Sequence, residues 1–148
     1  MRERDKMSII ASIQTWLSEY EGMELRPMNE VLTDLVKPVP TSYALASAGD
    51  SVTTEDIAGN RTYTKNYVFY ARESVFEEKE RAMNHDFLEG LTEWIESRAD
   101  NDDFPQLSGG YEVDSISVSN LLLYDVGEDG MGVYQVQIKV EITKRRVR

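Results

Sequence analysis

The segment MGVYQVQIKVEIT (131–143) constrains the fold more than any other part of the sequence. One parity carries the apolar residues Tyr134, Val136, Ile138, Val140 and Ile142, and the other carries Val133, Gln135, Gln137, Lys139 and Glu141. Unbroken alternation of this kind predicts a strand with one buried and one wet face, which is typical of antiparallel sheets. The chain must therefore supply partner strands and a layer that covers the apolar face.

Three further segments are predicted to supply the partner strands. DSISVSNLLLYDV (114–126) precedes that strand across the turn-rich GEDG, so the two are predicted to form a hairpin. RTYTKNYVFYAR (61–72) follows a Gly-Asn turn signal and carries aromatic residues on one parity, which suits a strand. TSYALAS (41–47) is predicted to be a short strand, followed by a polar loop up to residue 60.

Two segments have the helical spacing that a covering layer needs. Ile9, Ile10, Ile13, Trp16, Leu17 and Tyr20 recur on one helical face, and Gly22 is a plausible stop. Ser74–Glu77 matches a capping box, which predicts a second helix from there to about Arg98. Residues 28–35 weakly favour a short helix, although a strand with a turn is left open.

This order of elements predicts an α+β fold, an antiparallel sheet of about four strands with two main helices packed on one face. A chain of 148 residues is expected to form a single domain over 1–148. We expect its core at 7–143, with basic, flexible ends at 1–6 and 144–148.

Charge and cysteine content narrow the function. The formal net charge of −11 argues against a general nucleic-acid binder, which needs clustered Lys and Arg. The charge is uneven, because both ends are basic and the middle is acidic. With no cysteine, the chain has no disulfide, thiolate metal site or cysteine nucleophile. No apolar run approaches the length of a membrane span, and the N-terminus lacks a signal peptide's apolar region.

The stretch NHDFLEGLTEWIE (84–96) contains the best candidates for chemistry. It holds the single histidine, His85, near Asp86, Glu89 and Glu93, a set that resembles metal ligands or an acid–base group. On a helical wheel this set lies opposite the apolar stripe Phe87, Leu88, Leu91, Trp94 and Ile95, so it faces away from the core. The helix-borne zinc motif also needs two histidines. The sequence favours a solvated face, with a subunit interface as the functional alternative.

Other chemical motifs are weak or missing. DNDD (100–103) is acidic like a calcium loop, but Phe104 and Pro105 stand where a ligand and a glycine belong, which favours a helix-ending turn. The sequence has no GxGxxG, GxSxG or P-loop pattern. We therefore expect no enzymatic activity, no cofactor and no metal.

The ordered set of segments resembles a known family. It comprises DIAGNRTYTKNYVFYARES, ERAMNHDFLEGLTEWIE, FPQL and YQVQIKVEI. The resemblance as a whole extends over roughly residues 7–143. The set is similar to small tailed-phage and prophage proteins of the head–tail region, the minor capsid or tail terminator proteins. This sequence departs from their pattern in the acidic residues Glu77, Glu78 and Glu80 and in its basic end after Ile142.

The resemblance implies a virion structural protein without catalysis, located at the head–tail junction and made in the bacterial cytoplasm. It implies a homo-oligomer, a hexameric ring that stops tail-tube polymerisation and contacts the major tail tube protein and the head connector. DNA would pass through such an acidic ring without specific binding. The candidate subunit-interface residues are Asp86, Glu89, Glu93, Lys144, Arg145, Arg146 and Arg148.

Two other functions are consistent with the sequence. One is an acidic regulator that binds a host protein, which fits the net charge. The other is a metal-dependent hydrolase that uses His85, Asp86 and Glu89.

Overall fold

A single mixed sheet organises the molecule. The computed structural model describes residues 8–21, 31–33, 42–74, 78–126 and 130–144. Within them lie two helices and five strands: α1 (Ile9–Leu17), β1 (Val31–Thr33), β2 (Ser42–Glu55), β3 (Arg61–Ser74), α2 (Glu78–Asp100), β4 (Tyr111–Val126) and β5 (Met131–Lys144). The strand order is β1-β2-β3-β5-β4, with β1 parallel to β2 and every other pair antiparallel. The predicted α+β fold is confirmed.

The register of the central strands produces one apolar face. Ile138 of β5 lies opposite Tyr67 of β3, and Val136 lies opposite Phe69. Directly opposed residues point to the same side of a sheet, so the apolar parities of the two strands coincide. The alternating β5 residues on this side are at most 1% exposed: Tyr134, Val136, Ile138, Val140 and Ile142. The predicted buried face of this strand is confirmed.

Both helices cover that face. Ser8 caps α1, because its hydroxyl accepts a hydrogen bond from the Ala11 amide at 3.2 Å. The helix then buries Ile13, Trp16 and Leu17. The apolar stripe of α2 is buried as predicted at Phe87, Leu88, Leu91 and Ile95, with Trp94 packed against the same cluster. The hydrophobic core lies between these two helices and the sheet.

Aromatic contacts join α1, α2 and the sheet. The rings of Trp16 and Trp94 lie 4.9 Å apart between centroids, and those of Tyr20 and Phe87 lie 5.6 Å apart. Phe87 also stacks on Tyr43 of β2 at 5.5 Å. Such pairs contribute about 0.5–1.5 kcal/mol each beyond the area they bury. The two helices are therefore held to each other as well as to the sheet.

A glycine allows the close approach of the two helices. The Tyr20 hydroxyl donates a hydrogen bond to the Phe87 carbonyl at 3.1 Å, and this places it over Gly90. A Cβ atom at position 90 would lie 2.3 Å from the Tyr20 oxygen. Any larger residue there would displace the tyrosine.

The end of α2 is a turn, as predicted for DNDD. Asp102 has a φ of 54°, and the Asp103 amide donates to the Arg98 carbonyl at 2.8 Å. Arg98 is bound on two sides, at 2.9 Å from the Asp103 carboxylate and 3.3 Å from Glu19. Trp16 Nε1 donates to the Asp103 carbonyl at 3.2 Å. This turn therefore fastens α1 to the end of α2.

Several boundaries differ from the predictions. The short helix favoured at 28–35 is wrong for Val31–Thr33, which form β1 because they find a parallel partner in Tyr43–Leu45. β2 continues to Glu55 through residues predicted as loop, because pairing with β3 extends to Arg61. Lys144, assigned to a flexible end, is the last residue of β5. The predicted stop at Gly22 and residues 75–77 of the capping box lie outside the described residues, while Ser74 ends β3.

Candidate interaction surfaces

The exposed side of α2 carries a ridge of carboxylates. Asp86, Glu89 and Glu93, here called the acidic face, are all exposed. They lie three and four residues apart, on the side of the helix opposite its buried stripe, so they project from neighbouring turns. No ion pair holds any of the three within the described part of the chain. This group of predicted interface residues is open to a partner.

His85 is exposed, and its imidazole ring packs against the ring of Tyr134. Its centroid lies 5.9 Å from that of Tyr134, with the planes at 86° to each other. The described residues contain no group of three or more His, Asp or Glu side chains arranged to hold a metal ion. His85 and Asp86 are adjacent in one turn of α2 and Glu89 lies in the next, and the three do not form a group arranged to hold a metal ion, which the hydrolase alternative requires.

The basic residues predicted for the interface divide into two groups. Lys144 is exposed at the end of β5, and its ammonium nitrogen lies 5.3 Å from the ring centroid of Tyr111. Arg145, Arg146 and Arg148 lie outside the described residues. Lys144 is therefore the one basic residue of this predicted group that the structure describes.

Around Lys144 lies a cluster that we call the cation–aromatic patch: Tyr63, Lys65, Tyr111 and Lys144. The Lys65 ammonium lies 5.5 Å from the Tyr63 centroid, and the two tyrosine rings are 6.1 Å apart. Both tyrosines are half-buried. Each lysine is within cation–π distance of a ring, an interaction of about 0.5–1 kcal/mol at exposed sites. The patch combines positive charge with fixed aromatic surface.

Sequence reasoning missed this patch, because its residues are far apart along the chain. The register places Arg61, Lys144 and Tyr111 in one row across β3, β5 and β4. From the sequence alone, the aromatic residues of 61–72 indicate only a strand. The alternation of β3 could have placed Tyr63 and Lys65 on one face, but locating Lys144 and Tyr111 beside them required the strand order.

The sheet ends in two edges whose outer sides pair with no strand in the described ranges. One is the whole of β4, and the other is formed by β1 together with β2 beyond Leu45, where the pairing of β2 with β1 stops. Both carry register shifts: β2 at Ser47/Asp50 and Asp50/Thr53, and β4 at three places from Val113 to Asp125. Bulges of this kind discourage indiscriminate strand addition while leaving an edge available to a matched partner.

The open face of the sheet contains a groove of about 390 Å³. Its described lining is Ala48, Asn66, Tyr67, Val68, Ser119, Gln137, Ile138 and Lys139. Amide, hydroxyl and ammonium groups dominate its polar lining, and these described residues do not include a carboxylate or histidine to act as a general base. The groove can donate hydrogen bonds but does not assemble acid–base chemistry.

The turn between β2 and β3 is held by a carboxylate. Asp56 accepts from the Asn60 amide at 2.9 Å and from the Asn60 side chain at 3.2 Å. These hydrogen bonds, the backbone one first, lower the pKa of Asp56 below its usual 3.8. The turn leaves Ile57 fully exposed at the tip of the hairpin.

Searches against known proteins give no assignment. No protein-family model matches the sequence, and no curated protein matches it. In the part of the chain that the structure describes, neither helix has the length and apolar character needed to cross a membrane.

Proposed function

We propose that this protein is a tail terminator or head–tail joining subunit of a tailed phage or prophage. In this role it forms a ring, hexameric by the resemblance, at the head–tail junction of the virion. The ring stops polymerisation of the tail tube and offers a surface to the head connector, with the major tail tube protein on its other side. DNA passes through it without specific binding, and the protein has no catalytic role.

The two open edges of the sheet are the observation that carries this proposal. β4 and the distal part of β2 lie on opposite sides of the strand order, so one copy presents two different edges to its neighbours. A contact between unlike surfaces generates a closed ring when its rotation closes. Many proteins form rings, and the resemblance of the ordered sequence motifs is the reason for proposing a head–tail protein among them.

Deletion of the gene from a phage that carries it tests this role. We expect tails longer than normal and few joined particles, because tube growth would lack its stop and heads would lack their docking surface. Electron microscopy of the lysate measures both, and a plasmid copy should restore them. A plasmid copy with Lys139→Ala, a change on the open sheet face away from both edges, is the matched control. Deletion tails of normal length would exclude the terminator role.

A second candidate is a regulator that binds a host protein through its acidic face. The exposed ridge Asp86, Glu89 and Glu93 supports it, since such carboxylates attract a basic partner. This function leaves tail length unchanged in the deletion phage. Instead, Glu89→Lys with Glu93→Lys would reproduce the deletion's effect on the host cell while virions assemble normally.

A further inference from the structure

The cation–aromatic patch has the properties of a preorganised docking surface. Its four side chains come from three adjacent strands, so the sheet fixes their positions before any partner arrives. Exposed or half-buried tyrosines add contact area at a low cost in conformational entropy, and aromatic residues are enriched at interface centres. The lysines restrict the partner to one with negative charge.

The same chain carries a surface of the complementary kind. The acidic face of α2 extends over about 10 Å from Asp86 to Glu93, at 1.5 Å per residue. In the patch, Lys144 lies opposite Arg61, and Lys65 lies four residues further along β3. Four strand residues span roughly 13 Å, so the two ridges of charge have similar lengths. Flexible lysine and glutamate side chains can bridge the difference.

We propose that the cation–aromatic patch of one copy docks on the acidic face of α2 in the next copy. This inference rests on the proposed ring and adds a side-chain contact between neighbouring copies to the contact proposed for the strand edges. Each copy uses its patch toward one neighbour and its acidic face toward the other, so the contact is heterologous, as ring closure demands. Lys65 and Lys144 meet the carboxylates of Asp86, Glu89 and Glu93, while Tyr63 and Tyr111 pack beneath them.

Lys144 begins a basic run in the sequence, since Arg145, Arg146 and Arg148 come after it. In a chain of net charge −11, this concentration of cations offsets the repulsion that acidic copies otherwise exert on one another. The association should therefore weaken as salt concentration rises.

Carbodiimide crosslinking provides the first test, because it joins lysine amines to carboxylates in direct contact. Mixing unlabelled protein with an isotope-labelled copy identifies links between molecules by mass spectrometry. We expect mixed links from Lys65 or Lys144 to Asp86, Glu89 or Glu93. We expect their yield to fall about tenfold or more at high salt, which screens contacts between exposed charges. The patch variant Lys65→Glu/Lys144→Glu should fail to associate, since opposed like charges are repulsive. Absence of these links in the unmodified protein would overturn the inference.

A rescue experiment separates a lost contact from a lost fold. The helix variant Asp86→Lys/Glu89→Lys/Glu93→Lys should also fail to associate by itself. When mixed with the patch variant, each reversed surface meets an oppositely charged one, so alternating oligomers should form in sedimentation velocity. Failure of the mixture, with each variant folded by circular dichroism, would contradict the proposed contact.

Two further outcomes are informative. Binding of labelled duplex DNA that is lost in the patch variant would make the patch a nucleic-acid site and overturn the self-docking proposal. Tail length in the deletion phage is independent of the crosslinking result. Normal tails with intact crosslinks would reject the terminator role and keep the contact, whereas long tails without crosslinks would reject the contact and keep the role.

Discussion

The two sides of β5 differ although they belong to the same strand. On the helix side, Ile138 is 1% exposed and packs in the core, while its neighbour Lys139 on the other side is exposed. Strand geometry sends neighbours to opposite faces, and the helices cover one face alone. Most of the stabilisation by β5 therefore comes from the side that the helices cover. Residues on its open side can be replaced with little loss of stability.

The same division runs along α2. Leu91 and Ile95 are fully buried, whereas Glu89 and Glu93 are exposed. On this helix, however, the acidic face carries a single sign of charge, and the open face of β5 mixes amides with charged residues. We therefore expect changes on the exposed side of α2 to alter association, and changes on its buried side to alter folding.

Truncation on β5 should produce the largest difference between the two sides. Ile138→Ala should lower the free energy of unfolding by about 2–5 kcal/mol, because it removes buried methyl groups and leaves a cavity. Lys139→Ala, the matched change on the open side, should stay within about 0.5 kcal/mol, since its pairing with Glu141 is exposed and 3.8 Å long. Urea denaturation of both variants measures this contrast. Equal losses of unfolding free energy in the two variants would show that the open face of the sheet is also packed.

Gly90→Ala tests the contact between α1 and α2, here called the helix seam, on the helix-covered face of the sheet. The new Cβ displaces the Tyr20 hydroxyl and its hydrogen bond to Phe87, so we expect a loss of about 1–2 kcal/mol despite alanine's better helix propensity. In a Tyr20→Phe background the nearest ring carbon is 3.5 Å away, an ordinary contact. There the alanine should stabilise by up to about 1 kcal/mol. A double-mutant cycle measures the coupling, and simple additivity would contradict the proposed clash.

Asp56 lies at the tip of the β2–β3 hairpin, away from both faces of the sheet. Its replacement should change stability less than the two changes above. Its pKa is lowered in the folded state by hydrogen bonds from Asn60, so folding favours the carboxylate. The stabilisation is complete above the usual value of 3.8 and disappears as pH falls through the lowered pKa. Asp56→Ala should be less stable than the unmodified protein near neutral pH, and the gap should close in strong acid. Thermal melts across this range measure the gap, and a constant gap would contradict the assignment.

Local patterns were sufficient for most of the fold. The alternation of β5 fixed its buried parity, and the wheel of α2 identified Phe87, Leu88, Leu91 and Ile95 as core. Met83 lies four residues before Phe87, at the edge of the same stripe, and it is 54% exposed. Asn84 is 4% exposed because it also projects toward the sheet, a position that a search for apolar residues passes over.

The errors concern pairing between distant segments. β1 exists because a parallel neighbour accepts it, and three residues are too few to show a period. The polar residues 48–55 look like a loop, yet they pair with β3 as an edge strand. Of the candidate interface residues, the exposed acids could be identified from the sequence, because their exposure follows from the residue spacing within one helix. The cation–aromatic patch depends on the register of three strands, so it stayed hidden.

The helix seam gives the protein a built-in optical probe. The chain has two tryptophans, Trp16 and Trp94, and their rings lie 4.9 Å apart where α1 meets α2. Indoles at this distance couple electronically, so near-ultraviolet dichroism and tryptophan emission both report on the seam, while the far-ultraviolet signal reports on the whole backbone. Coincident transitions of these signals would mark two-state unfolding, and an earlier emission change would show the helices parting before the sheet melts.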